Sequence, residues 1–312
     1  MKTLLNAIAV LVALEMHLLG GPLPREQVSS RAKWVLHFDA DHYRTTKLGG
    51  FYVTNMLDRT VADERAKHGF DYGPLLRSLK SATAYGTEYQ KDSDDNGVLL
   101  LKAGAAAVKG VEDFLVAQMT KDAKGTIQRL QAEPFALYQI DKEIVAAPLP
   151  GGALLLGKSR KQVQKAWEVV AGKQPNLTST TAFSDLAKPS ESFILAGADD
   201  LKENTALPPQ AKILGQAESV RLALGERGDQ LFLTLGLKTE DAKAAAQVKQ
   251  LIDGLLAWAS LEQTEDKDRQ ILLKSAKVTA VERMITAAFE YPVARVIEKM
   301  EQDARQNTAA RK

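Results

Sequence analysis

The sequence predicts an α+β protein made of two similar halves, with mainly antiparallel sheets and helices packed on one face. Two strand-like segments support this prediction, because 34–41 (WVLHFDAD) and 193–200 (FILAGADD) are both apolar and both end in Ala-Asp. After each segment follow, in the same order, a hairpin, an amphipathic helix, more strand-like sequence and a closing helix. Hairpins form antiparallel sheet, and helices with one apolar stripe must cover a face of it. The order therefore indicates a tandem duplication of a strand–hairpin–helix–hairpin–helix unit.

The first half shows clear element boundaries. Gly69 is expected to end a helix, and Ser159 with Gln162 forms a capping box that begins another. The predicted elements are, in order, a strand over 35–40, a helix over 48–67, a short helix over 70–79, strands over 82–89 and 98–101, a helix over 108–119, strands over 135–140, 144–147 and 153–156, and a helix over 160–170.

The second half repeats this plan in fewer residues. Val248, Leu251, Ile252 and Leu255 form an apolar stripe at helical spacing, and Pro292 is suited to begin the final helix. The predicted elements are, in order, strands over 193–198, 220–224 and 231–237, a helix over 248–256, strands over 278–281 and 285–289, and a helix over 292–300.

The N-terminus predicts export to the periplasm or cell envelope. Lys2 supplies a positive charge, and 4–14 is an apolar run interrupted by Asn6, as is typical of a secretory signal peptide. The run is shorter than the ~20 residues of a membrane span, so no span is expected once the signal is removed. Leu18 and Leu19 precede Gly20 where cleavage favours a small residue, and the alternative is an uncleaved apolar helix packed on the protein.

These features divide the chain into five regions. Two prolines and several polar residues make the segment after the signal look like a spacer. The predicted organisation is a signal peptide or apolar N-terminal helix over 1–21, a linker over 22–32, a first α+β repeat over 33–172, a second α+β repeat over 190–303 and a polar tail over 304–312.

Composition excludes several classes of function. The 41 basic and 39 acidic residues give a net charge of +2, without the basic excess that phosphate backbones require, so nucleic acid is not an expected partner. The chain has no cysteine, which excludes disulfides, thiolate metal sites and cysteine nucleophiles. It has four histidines and neither a Gly-x-Ser-x-Gly nor a His-Glu-x-x-His motif. The sequence therefore designates no catalytic or cofactor-binding residue and no cofactor.

The densest group of potential metal ligands lies at the end of the first strand. On an extended strand, His37, Asp39 and Asp41 would point to one face at a spacing that a divalent ion could bridge. The matching strand of the second half keeps only its terminal acid, Asp199, which favours a structural role such as capping the next helix. No metal site is assigned, and a metal-dependent hydrolase that uses the three residues is the alternative function.

Two further motifs match binding loops in letters but not in context. Residues 152–159 fit the phosphate-loop pattern, but three consecutive leucines favour a buried strand over a loop that curls around an anion. A weaker alternative is an anion held by Ser159, Arg160 and Lys161 at the following helix N-terminus. Residues 92–97 copy the start of a calcium loop, but Ala103 occupies the position of the required Glu.

Three segments carry a resemblance to a known family. The strand ending in Ala-Asp, the stretch 153–159 (ALLLGKS) that leads into a helix, and the stretch 216–229 (QAESVRLALGERGD) resemble a family of uncharacterised exported bacterial proteins. The resemblance covers residues 30 to 300. It implies export and a duplicated α+β fold, and it carries no catalytic residues.

The function that these observations favour is a non-enzymatic binding or structural protein of the cell envelope. The sheets of the two halves are expected either to join edge to edge or to face each other. Duplicated halves commonly leave a groove between them, where an apolar or peptide ligand could bind. Alternatives are the metal-dependent hydrolase and a purely structural partner of another envelope protein.

Overall fold

The computed structural model describes residues 23–89, 97–121, 125–131, 133–141, 143–187, 191–201, 217–261 and 266–309. Its strands are β1 (Trp34–Asp39), β2 (Ser81–Gly86), β3 (Val98–Lys102), β4 (Ile127–Gln131), β5 (Leu137–Ile140), β6 (Ile144–Leu149), β7 (Ala153–Gly157), β8 (Ser192–Asp199), β9 (Ala217–Arg227), β10 (Gln230–Thr239), β11 (Lys277–Val281) and β12 (Met284–Pro292). Its α-helices are α1 (Ala40–Thr45), α2 (Lys47–Asn55), α3 (Leu57–His68), α4 (Gly73–Ser78), α5 (Ala105–Lys121), α6 (Arg160–Val170), α7 (Ala242–Leu261), α8 (Lys267–Ser275) and α9 (Val293–Ala309). The predicted signal segment 1–21 and nearly all of the calcium-like turn lie outside the described residues.

All twelve strands form one antiparallel sheet in the order β11-β12-β10-β9-β8-β1-β2-β3-β7-β6-β5-β4. The two halves meet where β1 pairs with β8, with Leu36 opposite Ala196. Of the two arrangements left open by the sequence, the halves therefore adopt the edge-to-edge one. The prediction of an α+β fold with antiparallel sheet is confirmed.

The same strand connectivity occurs on both sides of this junction. Outward from the junction, the first half runs β1, β2, β3, β7, β6, and the second half runs β8, β9, β10, β12, β11. In each half, at least one helix lies between the third strand of that half and its last hairpin, and another helix follows the hairpin. The first half adds β4 and β5 at its outer edge. Common ancestry of the halves stays a prediction.

Side chains alternate between two faces of the sheet, because successive residues of a strand point in opposite directions. Face A is defined here as the face that carries Leu36 and Phe38, and face B as the face that carries Val35 and His37. Phe38 and Val35 are both buried, so both faces contribute to the core in the first half. A fully buried side chain of this size contributes about 2 kcal/mol of hydrophobic stabilisation.

The helices cover the two faces unequally. Helices α5, α7 and α9 pack with the apolar clusters of face A. Helix α6 packs on face B through Val163 and Ala166, which are buried against Val35 and Leu155. The closing helices of the two halves, α6 and α9, therefore lie on opposite faces, and the helix arrangement is not repeated in full.

Local sequence signals account for several helix ends. Ser159 caps α6 by accepting a hydrogen bond from the backbone N–H of Gln162 at 3.3 Å, and the Gln162 side chain accepts one from Lys158 at 3.1 Å. Gly69 follows α3 with φ +68°, the left-handed conformation that glycine adopts without strain. These capping predictions are confirmed.

Other boundaries differ from the predictions. The helix expected over 48–67 is divided into α2 and α3 at Met56, where the backbone leaves helical geometry (φ −125°). Helix α1, strand β4 and helix α8 were missed, because α1 is only six residues long and the other two carry no strong apolar period. Helix α9 continues to Ala309, within the stretch expected to be a polar tail. The apolar side of this helix packs with the core through Val293, Val296, Ile297 and Met300, all in its first half.

Residues 23–32, expected to belong to a linker, pack against the first half. Val28 is fully buried in the face B core. Arg25 donates hydrogen bonds to the carbonyl oxygens of Leu177, Thr180 and Ala182 at 2.6–2.9 Å. This segment therefore covers part of face B beside α6.

Candidate functional site

The centre of face A carries a row of incompletely buried apolar residues. Leu36 lies on a central strand of the sheet, yet its side chain is 37% exposed. The strand register places it beside half-buried small and apolar residues on the neighbouring strands. We call this row the apolar floor; across four strand pairs it runs Ala84, Leu36, Ala196, Leu222 and Leu235.

The helices of face A explain why the floor stays open. Helix α5 contacts the outer strands β4, β6 and β7, and helix α7 contacts β10, β11 and β12. On one side of the floor, Phe38 and Ile194 lie two residues from Leu36 and Ala196 and are buried in the main cluster with α1 to α3 and α9. On the other side, Leu237 lies two residues from Leu235 and is buried by α7. The floor thus lies between covered regions, at the junction of the two halves.

The floor has no polar side chain. Its five members are leucines and alanines, so they offer neither a nucleophile nor a proton donor or acceptor. Their chemistry is restricted to burying apolar surface from water. Such a surface suits binding rather than bond breaking.

A second apolar surface on the same face belongs to helix α7. Ala245 and Val248 bury one side of the helix, but the adjoining stripe faces solvent. We call it the α7 stripe; its members are Leu251 (49% exposed), Leu255 (55%), Trp258 (62%) and Leu261 (80%). Contiguous exposed apolar side chains are unusual on isolated proteins and mark interaction surfaces. The helical spacing of the apolar residues predicts a buried stripe here, but Leu251 and Leu255 of that stripe are exposed.

The predicted metal ligands do not come together. His37 is 1% exposed on face B, and its Nδ1 lies 2.8 Å from the Thr83 hydroxyl. Burial, with a smaller contribution from Lys102, lowers the His37 pKa to about 3. Its ring is therefore neutral at physiological pH.

The two aspartates of the group have structural partners. Asp39 caps α1 by accepting a hydrogen bond from the backbone N–H of His42, and Asp41 pairs with Arg44 at 2.8 Å. Strand β1 ends at Asp39, so Asp41 belongs to a helix and does not continue the alternation that the metal hypothesis assumed. Within the described ranges, no group of three or more histidine, aspartate or glutamate residues could hold a metal ion. The metal-cluster alternative was wrong for this reason. A helix cap is present here, but Asp39 provides it, and not Asp41, the terminal aspartate that matches Asp199 in the second half.

Asp199, the aspartate at the end of β8, has a different role from Asp39. Asp199 pairs with Arg221 at 2.7 Å, and Arg221 also contacts Asp185 at 2.9 Å and the ring of Phe183. Burial raises the pKa of Asp199, while Arg221 opposes that shift. This network joins β8 and β9 to the segment that precedes them.

The phosphate-loop match and the anion hypothesis resolve into separate structures. Residues Ala153–Gly157 form β7 between β3 and β6, as the strand interpretation predicted. Ser159 is used as a helix cap, and Arg160 donates to Gln131 at 3.0 Å. Lys161 lines a cleft on face B. The three residues therefore do not form one anion site.

The floor could not be located from the sequence. Apolar residues occupy both alternating positions of β1, which predicts cover on both faces, and nothing local distinguishes Leu36 from buried Phe38. The available signal was the prediction of a groove between the halves, which indicated the region but no residue.

Solved structures include a protein with a similar fold. Crystal form III of TP0453, a Treponema protein, superposes with a TM-score of 0.52 at 12% identity, covering 89% of this chain and 97% of that one. Crystal form I of TP0453 gives a TM-score of 0.49 at 12% identity, covering 90% of this chain and 98% of that one.

Sequence comparisons identify no relative. No protein-family model matches the chain, and no curated protein matches it. Among the described helices, none combines the length and apolarity that crossing a membrane requires. The similarity to TP0453 therefore shows a shared α+β fold, and the resemblance to exported bacterial proteins stays a prediction.

Proposed function

We propose that the protein is an exported, non-enzymatic binding protein of the cell envelope, and that its apolar floor binds a ligand with an extended apolar chain. The single observation that carries the proposal is the exposure of Leu36 at the centre of the sheet. A central strand is normally covered, so an open leucine at this position leaves apolar surface for another molecule.

The energetics of the floor fit an apolar ligand of modest affinity. Each methylene that leaves water contributes about 0.8 kcal/mol, so six of them would contribute about 5 kcal/mol before the entropic cost of association. The floor offers no polar group to orient a reacting atom, which favours binding over catalysis. Specificity would then come from the length and shape of the apolar chain.

Export is supported by the N-terminal sequence. Lys2 and the apolar run over 4–14 have the order of a secretory signal. Tandem duplication of the two halves is supported by their matching strand order, and it would account for a ligand surface at their junction.

A structural role beside another envelope protein is a second candidate. The α7 stripe favours it, because Trp258 and Leu261 are more exposed than an isolated protein would leave them. Loss of envelope partners from the Trp258→Ala variant, with the floor still binding its ligand, would support this second role.

Fluorescence titration with dansyl-undecanoic acid tests the floor. We expect saturable binding to the wild type and about tenfold weaker binding to Leu36→Ser, because the substitution replaces apolar surface with a hydroxyl. The matched control is Leu272→Ser, since Leu272 is 40% exposed and lies on α8, outside the floor. Equal affinities of the two variants, or no binding by the wild type, would contradict the proposal.

A further inference from the structure

A cleft of about 460 Å³ lies on face B, on the other side of the sheet from the apolar floor. Helix α6, the strands β2 and β3 and residues 29–31 surround it. Its volume falls within the range of small-molecule sites. None of the floor residues lines it, so it is a separate site.

Tyr85, whose hydroxyl is buried, is one of the residues that line this cleft. The side chain is 4% exposed and lines the cleft, and its hydroxyl has no hydrogen-bond partner in the part of the chain that the structure describes. Burial raises the Tyr85 pKa, so the hydroxyl remains protonated and can donate. A buried hydroxyl without a partner is unfavourable, and an acceptor oxygen of a ligand would remove that cost.

Basic side chains outnumber acidic ones in the lining. Arg31, Lys161 and Lys165 line the cleft together with two carboxylates, Glu88 and Glu168. Lys161 and Lys165 are one helical turn apart on α6, and both residues lie on the side of the helix that borders the cleft. One carboxylate oxygen of Glu168 accepts a hydrogen bond from the neutral side chain of Gln174 at 3.4 Å. Like charges held this close on one helix favour an anionic ligand.

The remaining lining is apolar. Val98, Ala166 and Val169 contribute to it, and Val98 pairs directly with Tyr85 across β2 and β3. An apolar ligand body can therefore lie between the sheet and α6.

We propose that this cleft binds a small organic carboxylate whose apolar body carries a second oxygen acceptor. The carboxylate contacts Lys161, Lys165 and Arg31. The body packs against Val98 and Val169, and the second oxygen accepts a hydrogen bond from the Tyr85 hydroxyl. The inference goes beyond the proposed function, because it concerns another face of the sheet and another ligand class.

Calorimetric titration with para-hydroxyphenylacetate tests this site. Two analogues isolate the polar groups: phenylacetate lacks the second oxygen, and para-hydroxyphenylacetamide lacks the charge. We expect the wild type to bind the full probe about tenfold more tightly than either analogue. Added salt should weaken the carboxylates more than the amide.

Two variants test which residue contacts each polar group of the probe. Tyr85→Phe should weaken para-hydroxyphenylacetate about fivefold and leave phenylacetate unchanged. Lys165→Met should weaken both carboxylates and leave the amide unchanged, whereas the control Lys243→Met on α7 should alter none of them. Leu36→Ser should also leave this binding unchanged, which separates failure of this site from failure of the floor.

The proposal has clear contrary outcomes. Absence of saturable binding by either carboxylate up to about 10 mM would overturn it. Binding that Tyr85→Phe and Lys165→Met leave unchanged would also overturn it. Thermal unfolding of both variants should match the wild type, so a loss of binding cannot be attributed to unfolding.

Discussion

Leu36 of β1 lies directly opposite Ala196 of β8, and both side chains point to the open centre of face A. The next residue of β8, Gly197, points to face B, where Phe183 and Leu186 pack closely against it. One step along the strand therefore separates a position with free space from a position with none.

This contrast predicts opposite effects of two neighbouring substitutions. Ala196→Phe should fill the floor and abolish binding of dansyl-undecanoic acid, with a change in unfolding free energy of less than about 1 kcal/mol, because the added ring enters open space. Gly197→Ala should lower the unfolding free energy by about 1–3 kcal/mol and leave binding intact. A Cβ at position 197 would lie 2.8 Å from Phe183 Cδ1 and 2.9 Å from Leu186 Cδ1.

Urea unfolding and the fluorescence titration measure the two effects on the same variants. If Gly197→Ala loses binding while Ala196→Phe retains it, the assignment of the two faces is wrong. Comparable destabilisation by both variants would show that the floor is not open.

Buried His37 predicts loss of stability in mild acid. Its pKa is lowered from 6.5 to about 3 in the folded protein. Between these values the unfolded chain binds a proton that the folded protein does not, so the unfolding free energy falls as the pH is lowered from about 6.5. At about pH 5 this single group should reduce the unfolding free energy by about 2 kcal/mol relative to neutral pH.

Urea unfolding at neutral pH and at about pH 5 tests this prediction. His37→Gln removes the titrating ring, so its stability should change less between the two pH values. Thr83→Val is the control, because it removes the hydrogen-bond partner of His37 and keeps the ring. An identical pH dependence of His37→Gln and the wild type would rule out the assigned role.

The Arg221 network predicts that replacing Arg221 lowers the unfolding free energy by an amount that depends on pH. Arg221→Met leaves Asp199 partly buried without its partner, which should lower the unfolding free energy by about 1–3 kcal/mol at neutral pH. The pKa of Asp199 is already raised by burial and should rise further in the variant. The carboxyl then becomes neutral as the pH falls from neutral into the acidic range, and the cost of the substitution should shrink.

Denaturant titrations of Arg221→Met across this pH range supply the measurement. Arg283→Met is a suitable control, because Arg283 pairs with Glu218 at 3.8 Å and both side chains are more exposed. Its effect should stay below about 0.5 kcal/mol at every pH. A cost of Arg221→Met that grows in acid would contradict the role given to Asp199.

Features that depend on a few consecutive residues were predictable. The cap at Ser159 and the helix end at Gly69 need only a side chain or a backbone conformation within one turn, and both are present. The strand over Ala153–Gly157 was preferred to a phosphate loop because three leucines favour burial, and it lies between two strands of the sheet.

Features that depend on where a strand stops were not predictable. His37, Asp39 and Asp41 share a face only if the strand continues, but the chain enters α1 immediately after Asp39. The sequence pattern at this point fits both outcomes, because a terminal aspartate can cap a helix or extend a ligand set.

By itself the sequence determined the α+β class, the hairpins, the repeated order of strands and the helix ends at Ser159 and Gly69, because propensity, alternation and capping act over a few residues. Only the tertiary structure decided that the halves join through β1 and β8, that α6 and α9 lie on opposite faces, and that Leu36 stays open while Tyr85 borders a cleft. The physical reason is that exposure depends on which distant helix covers a residue. An apolar side chain has the same local pattern whether its cover comes from the same chain or from a ligand.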